Sequence, residues 1–306
     1  MNIIKRVMVG LDFTPMDDSE IAYAAFLSSL SAVEKVCFVH VEKHLELPEE
    51  LKLPQEDLSV KETLTRELQQ KVDIAFKSQP QVVTEIRIKE GSEVKEMLKV
   101  AKEEDIDLII VGRKMQLKGS GVLPKKLLRA SRRSVLFVPE NTEVKLKKIV
   151  VSIDFNEYSM MALDRMLHSA LALSEFEIEC LHVYQVPPGY VTLGQTYEAF
   201  DQRMQENARA KFSRVLQQFP ELEDRASLKL VKKHHDEDIG EVIVLEAKRS
   251  RADLLVIGAA GKSAAALFML GSVTEKILHY DNDIPLLVFK RENEAVGFID
   301  ALLRDE

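Results

Sequence analysis

Apolar residues fall along this chain in short, nearly unbroken runs, separated by longer segments with helical spacing. In the second half the runs read KIVVSID, IECLHVY, SLKLVKK, ADLLVIG and PLLVF. Between them, MMALDRMLHSALAL, EAFDQRMQENARAKFSRVLQQF and EVIVLEAKRS place apolar residues every three to four positions, and a further helix begins near Ser272. Runs of Val, Ile and Leu without polar alternation predict strands covered on both faces, the habit of parallel sheets. Strand and helix in alternation then require right-handed crossovers and an open α/β layer with helices on both sides.

The first half carries the same succession, so the chain is an internal duplication. IKRVMVGLDFT (4–14) matches LKKIVVSIDFN (146–156), 142 residues on, and pairs Asp12 with Asp154. The same offset pairs His40 with His182; IDLIIVG (106–112) matches ADLLVIG (252–258), and SVLFVPE (134–140) matches PLLVFKR (285–291). We therefore expect two tandem doubly wound domains, each an open five-stranded parallel sheet, spanning 1–143 and 144–290. The tail 291–306 reads as a short amphipathic helix with Val296, Ile299, Leu302 and Leu303 on one side.

Composition narrows the setting. A chain of 306 residues with 46% hydrophobic and 30% charged residues can bury a core in each half. No apolar run is long enough to cross a bilayer, and the N-terminus lacks a signal cleavage site, so a cytoplasmic protein is expected. Cys37 and Cys180 lie in apolar runs without metal spacing and read as buried thiols of a reducing compartment. A formal charge of −8, with no basic stripe interleaved by aromatics, argues against nucleic acid as partner.

The candidate chemistry lies in GAAGKSAAALFMLGS, Gly258 to Ser272. Gly261-Lys262-Ser263 looks like the end of a Walker A loop, but the first glycine of that loop would fall on Val256, inside a strand. A dinucleotide fingerprint after the first strand fails as well, since VSIDFNEYS has no glycine. What remains is Gly-x2-Gly-x9-Gly-Ser: Gly258, Gly261, Gly271 and Ser272. Ligands of open α/β sheets sit at the carboxyl ends of strands where the strand order reverses. If the first and fourth strands flank that point, Asp154 and Gly258 face each other across a crevice. Ser272, read as an N-cap, would open a helix whose free amides and dipole suit a phosphate. The hydroxyls of Ser272 and Thr274 and the ammonium of Lys262 would add contacts, and Asp154 would accept from a base amino group or a ribose hydroxyl.

The order strand–Asp, helix, LHVY, GAAG, nine residues, GSV and PLLVF closely resembles the universal stress protein family. Both copies resemble it over essentially their whole length, as in tandem members. In that family the glycine signature marks members that bind ATP, so the resemblance implies ATP, alone or with Mg2+. It implies a purine near Asp154 and the backbone of Val183, a ribose by Ile257 and Gly258, and phosphates on Gly261, Gly271, Ser272 and Val273. Domain pairing through the last strands, and a homodimer, are implied in the same way. Copy one departs from the pattern: it keeps Asp12 and Gly112, but Met115 replaces the second glycine. Gly119, Ser120 and Gly121 would leave a weaker second anion site there, in a copy that reads foremost as structural.

Other features attract less chemistry. His234-His235-Asp236-Glu237-Asp238 looks like a metal cluster, but adjacent histidines on an extended segment point to opposite faces, so no metal site is assigned. The segment 185–200, with Pro-Pro-Gly and three aromatics, is expected to be a lid or a packing element. No catalytic set stands out. Three readings remain: an ATP-binding regulatory module of a stress response with at most slow hydrolysis, an ATP-using enzyme, and a ligand-free scaffold. The second is disfavoured because the position after the first strand of copy two reads SIDFNEYS, with no phosphate loop.

Overall fold

The computed structural model describes residues 4–45, 59–114, 122–140, 142–170, 176–194, 196–259, 271–280 and 283–290. The C-terminal tail, Gly119 to Gly121, Gly261 and Lys262 therefore lie outside the described residues. The chain divides into two compact units, the first built on Met1–Val144 and the second on Lys145–Met166 and Leu173–Phe289.

Domain 1 comprises β1 (Arg6–Leu11), α1 (Met16–Leu30), β2 (Lys35–Glu42), α2 (Val60–Ala75), β3 (Val83–Glu90), α3 (Glu93–Glu103), β4 (Leu108–Arg113), α4 (Val122–Ala130) and β5 (Ser134–Pro139). Its strands lie in the order β3-β2-β1-β4-β5, all parallel. Domain 2 comprises β6 (Lys148–Ser152), α5 (Glu157–Ala170), β7 (Glu177–Tyr184), α6 (Tyr197–Gln218), β8 (Ala226–Lys232), α7 (Ile239–Arg249), β9 (Leu254–Gly258), α8 (Ser272–Tyr280) and β10 (Leu286–Phe289). Its order is β8-β7-β6-β9-β10, again all parallel. The doubly wound α/β architecture expected from the apolar runs is the one observed.

The runs form strands because both of their faces are covered. Val36 to Phe38, Ile109 and Ile110 in domain 1 are essentially without solvent contact, as are Ile149 to Val151, Leu255 and Val256 in domain 2. Several helix starts are fixed by side-chain caps. Ser59 and Glu62 make a capping box at α2, Thr196 accepts from the Ala199 N–H at 3.2 Å, and Asp238 accepts from Gly240 at 2.8 Å.

Duplication extends to details that strand patterns do not reveal. Asp107 takes the N–H groups of Lys5 and Arg6 at 2.8 Å each, and Asp253 takes those of Lys147 and Lys148 at 2.9 and 3.0 Å. Each aspartate thereby clamps the start of the first strand of its domain to the turn before the fourth. Phe13 and Phe155, each directly after the strand-end aspartate, both adopt the left-handed backbone region at φ 57° and 61°. That conformation is a genuine outlier for a bulky residue, and both copies place it at the reversal of strand order.

Candidate functional site

In domain 2, β6 pairs with both β7 and β9, and the crossovers on either side of β6 run in opposite directions. A cleft of about 800 Å³ opens there, at the carboxyl ends of β6, β7 and β9. Asp154, Val183, Ile257, Gly258, Gly271, Ser272, Val273 and Thr274 all line it. The residues picked from the sequence are thus brought together, apart from Gly261 and Lys262, which are outside the described residues.

Asp154 is held rather than loose. Its Oδ1 accepts the Ser159 hydroxyl at 2.8 Å and the Asn156 N–H at 3.1 Å, and its Oδ2 accepts the Asn156 side-chain amide at 2.8 Å. Asn156 also caps α5, since its Oδ1 takes the N–H groups of Tyr158 and Ser159 at 2.9 Å each. The start of α5 is therefore closed to a ligand anion.

α8 begins differently. The Gly271 N–H donates to the Ala259 carbonyl at 2.9 Å, and the Gly271 carbonyl takes the first helical bond, from the Glu275 N–H at 3.0 Å. The cap position is thus Gly271, one residue before the expected Ser272. Among the described residues the N–H groups of Ser272 and Val273 have no acceptor, as the first turn of a helix dictates. Buried Thr274 turns its hydroxyl back to the Gly258 carbonyl at 3.2 Å. It ties β9 to α8 and is not aimed into the cleft.

Gly258 has a structural reason of its own. A Cβ there would lie 2.8 Å from the carbonyl oxygen of Tyr158, so α5 passes directly over the strand end. Gly112 of domain 1 shows the same closeness, 2.6 Å to Cγ of Met16.

His182 donates its Nδ1 proton to the Ile153 carbonyl at 2.8 Å, and His40 donates to Leu11 at 2.9 Å. A carbonyl only accepts, which fixes the protonated nitrogen in each case. In domain 2 the His182 ring lies 4.9 Å from Phe155 and stacks near-parallel on Tyr184. The Tyr184 hydroxyl donates to Asp201 at 2.8 Å, and burial, followed by Asp201, pushes it up to about 12. Asp201 is in turn held below the usual carboxylate range by Lys232, 2.8 Å away.

Sequence reasoning missed one wall entirely. Met204, Asn207, Ala208 and Lys211 of α6 line the cleft. They recur at i, i+3, i+4 and i+7, one face of a helix, which is the signal that could have found them. Among the described residues of the 185–200 segment, Gln185 lines the cleft, and its amide meets His235 Nδ1 at 2.7 Å. Among the described residues no group of His, Cys, Asp and Glu is placed to hold a metal ion. Both cysteines are buried, and burial pushes each thiol up to about 12.

The corresponding corner of domain 1 is charged differently. Lys114 pairs with Asp12, whose other oxygen takes the Thr14 hydroxyl at 2.6 Å. Asp17 accepts the N–H groups of Asp12 and Phe13 at 3.0 Å each. Glu20 is buried beneath Gly112, and burial first, then Asp17 and Asp12, raises its carboxyl well above the usual range. The Glu42 carboxylate lies 3.1 Å from His40 Nε2. At the 142-residue offset, domain 2 has Ser159 for Asp17, Ala162 for Glu20 and Tyr184 for Glu42.

A parallel five-stranded sheet wound on both faces, duplicated, with a cleft at the switch point of the second copy, defines a tandem doubly wound α/β protein. The Universal stress protein family matches residues 4–139 and again 145–290, and the chain belongs to that family. It is 26% identical over 168 residues to the Universal stress protein MJ0577 of Methanocaldococcus jannaschii, covering 49% of this chain and 98% of that protein. The fold is similar to that of the functionally unknown protein PA1789 from Pseudomonas aeruginosa PAO1 (TM-score 0.67, 14% identity, 99% of this chain and 98% of the other). It is also similar to a universal stress protein from Archaeoglobus fulgidus (TM-score 0.60, 17% identity, 94% and 98%). No helix among the described residues is long and apolar enough to cross a membrane.

Proposed function

We propose that domain 2 binds ATP or another adenine nucleotide, one per chain, and that the protein acts as a nucleotide-responsive regulatory module of a stress response. The observation that carries this reading is the cleft in which the open amide end of α8 at Ser272 and Val273 shares one space with Asp154. Its volume of about 800 Å³ is that of a small-molecule site. A phosphate meets unsatisfied N–H groups and the positive end of the helix dipole there. Ile257 and Gly258 would take the ribose, and Val183 with Asp154 the purine. Gly261 and Lys262, in the segment joining β9 to α8, would complete the phosphate cradle.

Magnesium is not given a protein site in this reading. Asp154 is the lone carboxylate among the described lining residues, and Ser159 and Asn156 already occupy it. The ion would arrive on the polyphosphate.

Domain 1 is read as structural. Asp12 and Gly112 are in place, but Lys114 stands on Asp12, and Asp17 and Glu42 add carboxylates at this corner where a polyphosphate would need cations. Whatever Gly119, Ser120 and Gly121 supply would work against that charge.

Equilibrium dialysis of the full chain with labelled ATP tests the reading. The expected result is saturable binding of one nucleotide per chain, abolished by Gly261→Val with Gly271→Val. No saturable binding, or binding indifferent to those changes, leaves the duplicated scaffold as the function.

A further inference from the structure

One wall of the domain 2 cleft belongs to a helix that no strand-end motif touches. Lys211 on α6 is the lone lysine or arginine among the described residues lining the cleft, as Asp154 is the lone carboxylate. The two do not neutralise each other in the way Lys114 and Asp12 do in domain 1, because the Asp154 oxygens hold Ser159 and Asn156. Lys211 instead stands with its Nζ 5.6 Å from the centre of the Phe155 ring. Among the described residues it has no carboxylate within ion-pair distance. Other lysines of the same domain do: Lys229 pairs with Glu246 at 2.9 Å, Lys232 with Asp201 at 2.8 Å and Lys248 with Asp283 at 2.5 Å.

The topology gives this cation a position opposite the amide end of α8. The crossovers through α5 and α6 run outward from β6 to β8, whereas those through α7 and α8 run back toward β10. With all connections right-handed, the two pairs of helices cover opposite faces of the sheet, and α7 and α8 indeed pack together. Lys211 and the Ser272–Val273 amides therefore approach the cleft from the two faces of the same sheet edge. An ammonium over an aromatic ring is held more weakly than one in a charge-assisted hydrogen bond to phosphate. An anion entering the cleft would take Lys211 from Phe155.

We propose that Lys211 is a ligand-binding residue that moves from the Phe155 ring to the phosphate of the bound nucleotide and so makes the cleft select nucleotides over nucleosides. The inference rests on the nucleotide reading of this cleft and adds a residue, and a discrimination, that the glycine signature does not contain. The phosphate would be clamped from both sides, by backbone amides of α8 and by the ammonium of α6.

Titration calorimetry of the full chain with ATP and with adenosine, for the wild type, Lys211→Ala and Lys211→Arg, tests it. The loss of one charge-assisted hydrogen bond predicts that Lys211→Ala weakens ATP roughly tenfold or more. Adenosine affinity stays at the wild-type value, and Lys211→Arg keeps most of the ATP affinity. A structural role would lower both ligands together, so an equal loss for adenosine overturns the proposal. ATP binding unchanged in Lys211→Ala overturns it too, while leaving the nucleotide reading intact. A wild type that takes no ATP removes both. Thermal melting of the unliganded variants, expected to match the wild type at this exposed position, shows that the fold is kept.

Discussion

The hydroxyl of Ser159 donates to the carboxylate of Asp154 at 2.8 Å, in the corner where domain 1 sets a second carboxylate, Asp17, beside Asp12. The pair aims Asp154 by neutral donors, so the cleft keeps a single negative charge in a fixed direction. In domain 1 the same corner gathers acids and needs Lys114.

Ser159→Ala therefore tests whether aiming Asp154 matters. Ser159 is buried; its hydroxyl donates a hydrogen bond to the Asp154 carboxylate and accepts one from the Asp154 N–H at 3.3 Å. Its loss is expected to cost about 1 kcal/mol in urea unfolding and to weaken ATP roughly fivefold in dialysis, since Asn156 still holds the other oxygen.

Gly258→Ala should destabilise more than Gly112→Ala. The added Cβ at Gly258 would meet a main-chain carbonyl, that of Tyr158 at 2.8 Å, and so requires α5 to move. At Gly112 it would meet the buried side chains of Met16 and Glu20 rather than main chain, so no helix has to move as a body. Overpacking costs about 1–3 kcal/mol at either site, and the excess at Gly258 is read from the urea midpoints of the two variants. Equal midpoints would contradict the packing account.

The contrast between these glycines shows what the sequence could convey. The matches of Gly112 to Gly258, 146 residues on, and of Asp12 to Asp154, 142 residues on, are legible in the chain, because strand ends repeat the same letters. So are the strands, because apolar runs flanked by helical spacing have few other solutions. The reason for Gly258 was not legible: it lies in the passage of α5 over β9, a tertiary distance. Likewise Asp17, Glu20 and Glu42 are visible letters, but only the folded sheet edge shows that they gather around one corner. Lys211 was hidden in a long amphipathic helix whose polar face carries many charges. Which of them meets a cleft depends on how the helix docks.

Glu20 makes the stability of domain 1 depend on pH. Its folded pKa lies well above the usual value of 4.5, from burial first and then from the charges of Asp17 and Asp12. A carboxyl raised in this way contributes stability that is complete below 4.5 and is lost as pH rises through the folded value. Glu20→Gln removes the proton from the balance, with Lys114 left to neutralise Asp12. Urea unfolding across the range of about pH 5 to 9 should show the variant gaining on the wild type as pH rises. A constant difference between the two would contradict the assignment.

Tyr184 separates charge from shape in the domain 2 cleft. Tyr184→Phe keeps the ring that stacks on His182 and removes one donor from Asp201, which Lys232 still holds. The cost to stability is expected near 1 kcal/mol, with ATP affinity unchanged. Tyr184→Glu installs the residue that domain 1 carries as Glu42. At the mouth of the cleft, a second carboxylate repels a polyphosphate, which is anionic throughout the range near neutral pH. ATP affinity should fall roughly tenfold or more, with adenosine far less affected. High salt should recover part of the loss, because screening shortens the reach of the added charge. If Tyr184→Phe and Tyr184→Glu weaken ATP alike, the stacked ring edge rather than the sign of the cleft sets affinity, and the charge difference between the two copies does not explain why one domain would bind.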